Sequence, residues 1–287
     1  MTLRAGFIGL GNIGKPMARR LVAAGLETTV HDLAPASVHE LVVAGAKAVA
    51  TARAVGAASD YVGLCVRDDD DLRAVTLGSD GVFAGAEAGV IVAVHSTVQP
   101  KTVLALAEAA AARGIALVDA CITGGAAGAA QGTLTVMVGG DARHLDKIRP
   151  ALESFAKLIV HVGPLGAGAK LKLCNNLMTY LAWTSAYEAT LLARAAGLPQ
   201  QVLEQVTRSN GNLTDPMLAF LGLHKAPEET RRSESFQAML AGFVELAEKD
   251  LAATLALARE CGVALPGSAL ASQIMARVYG LDDTKRR

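Results

Sequence analysis

Short, nearly continuous apolar runs alternate along the first half of the chain with longer segments whose apolar residues recur every three or four positions. The runs fall at residues 4–8, 28–31, 61–66, 90–94 and 116–119. Between the first two, Ile13, Met17, Leu21 and Val22 keep helical spacing, and 101–113 reads as an Ala-rich helix. Residues 133–138 and 158–162 are the last predicted strands, with a helix over 142–155 between them. This alternation predicts an α/β fold with a doubly wound, mostly parallel sheet. The apolar stretch 115–140 contains Asp119, Gln131 and several glycines, so it predicts two buried strands around a loop, not a membrane span.

After Gly168 the pattern changes. Residues 169–196 contain no Gly or Pro and predict one long helix, and beyond Pro199 the chain reads as helix and loop. The expected organisation is an α/β domain over 1–164 and an all-helical domain over 165–287, with the long helix as hinge or spine. No internal repeat is present; residues 231–235 and the basic tail 285–287 read as solvated surface.

Composition narrows the partners. With 52% hydrophobic residues, 19% charged residues and a formal net charge of +0, nothing draws the chain to nucleic acid or an anionic membrane. A small molecule is the expected partner. Cys65, Cys121, Cys174 and Cys261 are scattered, with no His at metal-ligand spacing, so no metal site is expected and the cysteines fit a reduced, cytoplasmic protein. The N-terminus lacks the order of a secretory signal. Apolar positions along 239–258 exceed what a small helical domain readily buries, which predicts a homodimer or homotetramer.

Two glycine-rich turns carry the candidate chemistry. Gly9, Gly11 and Gly14 form a Gly-x-Gly-x-x-Gly pattern that follows the first strand and opens the first helix. In a Rossmann-type unit Gly9 makes the tight turn, Gly11 admits a pyrophosphate to the backbone, and Gly14 lets helix and strand pack closely. Asp32 follows the second strand, where a carboxylate accepts from ribose hydroxyls; capping the helix after Pro35 is the other reading. Leu33 replaces the Arg that would suit a 2′-phosphate, which favours NAD over NADP.

The second turn, 163–168, feeds Lys172 and Asn176, four residues apart on one helical face. An exposed Lys and Asn at that spacing would be unremarkable. The setting among Leu171, Leu173, Leu177, Met178 and Leu181 is what singles them out, because a lysine beside apolar groups can exchange protons near neutrality. A third glycine-rich segment, 119–128, offers either a backbone nest for a carboxylate, with the Thr123 hydroxyl beside it, or a flexible turn. Trp183 and residues 208–212 border a pocket on one reading and fill a core and a loop on the other.

These elements, in this order, resemble the β-hydroxyacid dehydrogenases, the group containing 3-hydroxyisobutyrate dehydrogenase and tartronate semialdehyde reductase. The similarity rests on residues 6–18, on Ser96-Thr97-Val98-Gln99-Pro100, on 133–140, on Lys172-Leu173-Cys174-Asn175-Asn176, and on 243–251 ending Lys249-Asp250-Leu251. The resemblance implies a helical domain like that of 6-phosphogluconate dehydrogenase, with Lys172 as general acid and base and Asn176 orienting the substrate. It implies that Thr123, Gly124 and Gly125 hold a substrate carboxylate. It further implies that Asn12 and Ile13 join the three glycines around the dinucleotide. Val66, with Arg67 and Asp71, would line its adenosine side, Thr97 would stand near the nicotinamide, and Lys249 would reach the cofactor from the helical domain.

The chain departs from the usual family pattern. Cys121, Ile122 and Thr123 stand where Pro-Val-Ser is common, His95 where an acidic residue often precedes Ser-Thr, and Ala169 where Gln is common. The expected activity is hydride transfer between NAD and a small 3-hydroxy acid or its semialdehyde. The alternative is a dinucleotide-binding sensor or interaction protein without catalysis, because function resides in the site and not in the fold.

Overall fold

Neighbouring residues of the apolar runs face opposite sides of one sheet. In the computed structural model, which describes residues 3–282, Phe7 packs into one hydrophobic cluster and Ile8 into another. Ile91 and Ala93 join the first cluster, and Val92 and Val94 the second. Strands buried on both faces have no polar side to show, so they appear in the sequence as unbroken apolar runs. The basic tail 285–287 lies outside the described residues.

The elements run β1 (Ala5–Ile8), α1 (Gly14–Ala23), β2 (Thr28–His31), α2 (Pro35–Val43), β3 (Lys47–Ala48), α3 (Ala52–Ala57), β4 (Tyr61–Leu64), α4 (Asp69–Thr76), α5 (Val82–Gly85) and β5 (Ile91–Val94). Then follow α6 (Pro100–Ala111), β6 (Ala116–Thr123), α7 (Gly125–Gln131), β7 (Leu134–Gly139), α8 (Ala142–Glu153), β8 (Ala156–Gly163) and the long helix α9 (Ala167–Ala195). The remainder is helical: α10 (Gln200–Ser209), α11 (Asp215–Leu223), α12 (Glu228–Arg232), α13 (Glu234–Glu260) and α14 (Pro266–Tyr279). The sheet has eight strands in the order β3-β2-β1-β4-β5-β6-β7-β8. Helix starts are set locally, by Thr51 accepting from the Ala54 N–H, Asp68 from those of Asp70 and Asp71, and Asp141 from that of Arg143.

Two features differ from the sequence reading, and a third, an antiparallel pair, falls within the expected mostly parallel sheet. The two-residue edge strand β3 is too short to show a period. Strand β6 continues through Thr123, so Cys121, Ile122 and Thr123 are strand and not loop, and the segment before β7 is the helix α7. Strand β7 also pairs with β6 antiparallel, Asp119 opposite Gly139 and Thr123 opposite Thr135. The connection 124–133 is shorter than a parallel crossover requires, and the antiparallel partner extends β6 past the point where its neighbour β5 ends.

The chain divides into two compact units, Met1–Lys172 and Leu173–Arg287, so the division between them falls inside α9. The first turn of α9 is bonded to the sheet through Asp119 of β6. The second unit has its own core of Tyr180, Phe220, Leu251, Met275 and Tyr279, among others. Trp183 stacks on Phe220 with centroids 5.1 Å apart and meets Tyr180 and Tyr279 edge-on, so it is a core side chain. Arg208 pairs with Asp215 at 2.9 Å, and Asn210 closes a turn onto the Asn212 N–H.

Candidate active site

In the order β3-β2-β1-β4-β5, the winding reverses between β1 and β4, and the carboxyl ends of strands beside such a reversal form a crevice. The first glycine turn lies there. Gly9 has φ +90°, and a Cβ on it would strike the Cys65 carbonyl oxygen. A Cβ on Gly14 would fall on the Gly9 carbonyl oxygen. Gly11 is different: a Cβ there meets no protein atom within 4 Å. Packing therefore accounts for Gly9 and Gly14, while the space beside Gly11 is open among the described residues, which leaves room for a pyrophosphate to approach the backbone. The residues present fit a dinucleotide.

Asp32 follows β2 and accepts from the Leu10 N–H in the glycine turn and, at 2.7 Å, from the Ala34 N–H. It ties the turn to the start of α2 instead of capping that helix directly, since Ala34 is the cap residue. A carboxylate has further lone pairs for a ribose. Leu33 beside it is 92% exposed. The Val66 N–H donates to the buried Ser96 hydroxyl at 2.8 Å, linking the end of β4 to Ser96, which precedes the half-buried Thr97. Arg67 and Asp71 pair with each other at 2.7 Å on the surface.

Beneath this region lies His95, fully buried among Phe7, Tyr61 and Phe155. Its Nδ1 is 2.7 Å from the Ala120 carbonyl and its Nε2 is 2.8 Å from the Tyr61 hydroxyl. A carbonyl only accepts, so Nδ1 carries a proton; burial disfavours a second one, and Nε2 of the neutral ring then accepts from the tyrosine hydroxyl. Burial pushes its pKa down to about 4, against the bond to Ala120. Below pH 6.5 the unfolded chain takes up a proton that the folded chain refuses until about pH 4. The contribution is thus complete above 6.5 and lost as pH falls, by roughly 3 kcal/mol across the window. Denaturant titrations of wild type and His95→Asn should show that slope in the wild type alone; equal slopes would refute it.

Strand β6 ends at Thr123, where Gly124 takes φ +123° and Gly125, the first residue of α7, takes φ +64°. A side chain is strained at both, so the helix starts on two exposed residues without side chains. Asp119, on the same strand, is fully buried. Its Oδ1 accepts from the Gly166 N–H at 2.7 Å and its Oδ2 from the Ala169 N–H at 2.6 Å, across the start of α9. Burial raises its pKa and these backbone donors oppose the rise. Cys121, Met137 and Ala169 form one small hydrophobic cluster, so two of the departures from the family pattern, at 121 and 169, share it.

Along α9 the buried stripe runs Ala169, Leu173, Asn176 and Tyr180, while Leu171 and Met178 face outward. Lys172 is half-buried at the edge of that stripe. The apolar setting inferred from sequence therefore includes Leu173 but not Leu171 or Met178. In the second unit, Asn176 Nδ2 donates to Asp250 Oδ2 at 2.6 Å and the Tyr180 hydroxyl donates to the same oxygen at 3.0 Å. Burial, with Asp250 adjacent, pushes the Tyr180 phenol up, so it remains a donor. Asp250 is 2% exposed; Lys249 Nζ lies 3.2 Å from its Oδ1, in ion-pair range, and that oxygen accepts no hydrogen bond from the described residues. Asn175 Nδ2 donates to Asn176 Oδ1 at 3.2 Å.

Sequence reasoning missed roles for Asp119, Tyr180 and Asp250. Tyr180 was open to discovery as the residue four beyond Asn176 on the same stripe. The partners of Asp119 and Asp250 lie far along the chain, and no local pattern announces them.

Known proteins resemble the chain over nearly its whole length. The profile of the NAD binding domain of 6-phosphogluconate dehydrogenase matches residues 4–163. That described as NAD-binding of NADP-dependent 3-hydroxyisobutyrate dehydrogenase matches 166–285. The chain is 35% identical to 2-(hydroxymethyl)glutarate dehydrogenase of Eubacterium barkeri, over 98% of this chain and 91% of that protein. It is 41% identical to the NAD-dependent L-serine dehydrogenase of Pseudomonas aeruginosa, over 72% of this chain and 70% of that one. The structure of 3-hydroxyisobutyrate dehydrogenase from Mycobacterium tuberculosis, solved with L-serine, superposes with a TM-score of 0.82 at 29% identity, covering 98% of this chain and 94% of that one. Among the described residues no helix is long and apolar enough to cross a membrane. Sheet, glycine turn, helical second unit and full-length similarity together place the chain in the β-hydroxyacid dehydrogenase family.

Proposed function

We propose that this protein interconverts a small 3-hydroxy acid and its semialdehyde, using NAD in preference to NADP, with Lys172 as general acid and base. The observation that carries the reading is that Lys172 stands just past a helix start bonded to β6, the strand that ends in Thr123 and the Gly124-Gly125 turn. Serine and 2-(hydroxymethyl)glutarate, named for two relatives, both carry a hydroxymethyl group on the carbon next to a carboxylate. That shared unit is the substrate class assigned to this chain.

When bound, the nicotinamide dinucleotide accepts or returns the hydride. The work of the chain is the proton and the positioning. Lys172 Nζ, as amine, takes the proton from the carbinol oxygen on oxidation, and as ammonium returns it on reduction. The Thr123 hydroxyl and the backbone N–H groups at Gly124 and Gly125 hold the carboxylate. Asn176, its amide oriented by Asn175 and Asp250, keeps a second N–H for the substrate. Gly9, Gly11, Asn12, Ile13 and Gly14 hold the pyrophosphate, Asp32 the ribose, Val66 the adenosine side and Thr97 the nicotinamide side, with Lys249 as a further cofactor contact.

Asp32 beside an exposed Leu33 gives a 2′-phosphate a negative neighbour and no arginine. A spectrophotometric panel of 3-hydroxy acids and semialdehydes with NAD(H) and NADP(H) side by side should show turnover, with the higher kcat/KM for NAD. A clear NADP preference overturns the Asp32 argument. Tight NAD binding with no turnover of any carboxylate would favour the non-catalytic sensor. Exposed Met178, Leu192 and Leu270 on α9 and α14 support association into a homodimer or homotetramer, which sedimentation would detect.

A further inference from the structure

The first four N–H groups of a helix lack partners within it, and a long helix frays from that end unless something takes them. At α9 the partner is a side chain from another element. Asp119, fully buried in β6, takes the Gly166 N–H on one oxygen and the Ala169 N–H on the other. The carboxylate also complements the partial positive charge of the helix start.

The junction is built without slack. A Cβ on Gly139, which pairs with Asp119 across the β6–β7 ladder, would strike Asp119 Oδ1 and lie 2.9 Å from the Ala167 nitrogen. A Cβ on Gly168 would strike the Met137 carbonyl and lie 3.0 Å from Asp119 Oδ2. Two glycines and one carboxylate thus set how closely the helix start approaches the sheet. Gly163 and Gly166, with φ +146° and +87°, turn the chain into that position.

Both ends of the candidate chemistry depend on this contact. Lys172 is three residues beyond Ala169, about 4.5 Å along the helix axis. Thr123 is four residues beyond Asp119 on the same strand. We infer that Asp119 is a positioning residue of the reaction: by holding the first turn of α9 on β6, it sets Lys172 against the Thr123-Gly124-Gly125 turn. This role rests on the reading of Lys172 as acid and base. Asp119 acts through the helix start, since both of its oxygens are taken by backbone N–H groups. A misplacement of about 1 Å at a reacting group can cost on the order of 100-fold in rate.

Asp119→Asn tests the role in the full chain, because it keeps the side-chain size and turns one acceptor oxygen into a donor facing an N–H. The expected result is a loss in kcat of about 10- to 100-fold. The Kd for NAD should stay within about twofold, since the glycine turn is untouched. Hydrogen exchange at amides 169–172 should rise, with none at β1 and α1. Gly168→Ala should reproduce the pattern by crowding the same junction. Ile148→Val, a core change in the same unit, serves as control, lowering Tm without a specific loss of kcat.

An Asp119→Asn enzyme with wild-type kcat and exchange overturns the inference, as does a loss of activity no greater than its Tm change explains by comparison with Ile148→Val. Failure of the underlying reading looks different: Lys172→Ala would then retain turnover, whatever the exchange data show at 169–172.

Discussion

Replacing Lys172 by alanine is expected to lower turnover by about 10²- to 10⁴-fold, the range that a positioned general acid or base contributes. The fold should survive, because Lys172 is half-buried at the edge of the stripe and alanine is the strongest helix former. The helix start remains bonded to Asp119 through Gly166 and Ala169, neither of which is changed. NAD affinity, measured by calorimetry or fluorescence, should therefore be nearly unaltered while steady-state turnover collapses. Lys172→Arg should not restore activity, since a guanidinium keeps its charge and does not give up a proton near neutral pH. Turnover retained in Lys172→Ala would remove this residue from the mechanism.

The glycine turn yields a prediction as large, of a different kind. Gly14→Ala places a methyl group on the Gly9 carbonyl oxygen, with Phe7 Cε1 3.1 Å away, and neither the turn backbone nor the fully buried Phe7 can readily yield. We expect destabilisation of about 3 kcal/mol or more, in the upper range for overpacking, together with loss of cofactor binding. Gly11→Ala adds the same methyl group where no protein atom lies within 4 Å. Its melting temperature should match wild type, while NAD affinity falls roughly tenfold or more, about 1.4 kcal/mol. Paired melting and binding measurements separate the two. Equal NAD affinity in Gly11→Ala and wild type would mean that the pyrophosphate does not approach at Gly11.

Much of the second unit was legible only in outline. Trp183 could have lined a pocket, and its placement in the core needed Phe220 and Tyr279, which come from α11 and α14. Spacing to Lys172 singles out Asn176, yet spacing does not show that its amide is bonded on both sides, to Asn175 and to Asp250. Likewise Lys249 was noted as a cofactor candidate, while Asp250 beside it, buried with an oxygen that accepts no hydrogen bond from the described residues, attracted no notice. A carboxylate in a short motif gives no sign of its burial.

By itself the sequence determined what depends on neighbours along the chain. Apolar runs and helical spacing dictate strands and helices, and Gly9, Gly11 and Gly14 between a strand and a helix dictate a tight strand-to-helix turn, because those conformations are set by local sterics. The segment 121–123 was misread for the same reason, since its strand state comes from pairing with β7 and not from its own residues. Tertiary structure alone decided that Asp119 holds Gly166 and Ala169, forty-seven and fifty residues away. It also decided that His95 is neutral beneath Ala120, and that packing accounts for two of the three glycines. These outcomes depend on desolvation and on which donors face one another across elements, and the order of residues along the chain records neither.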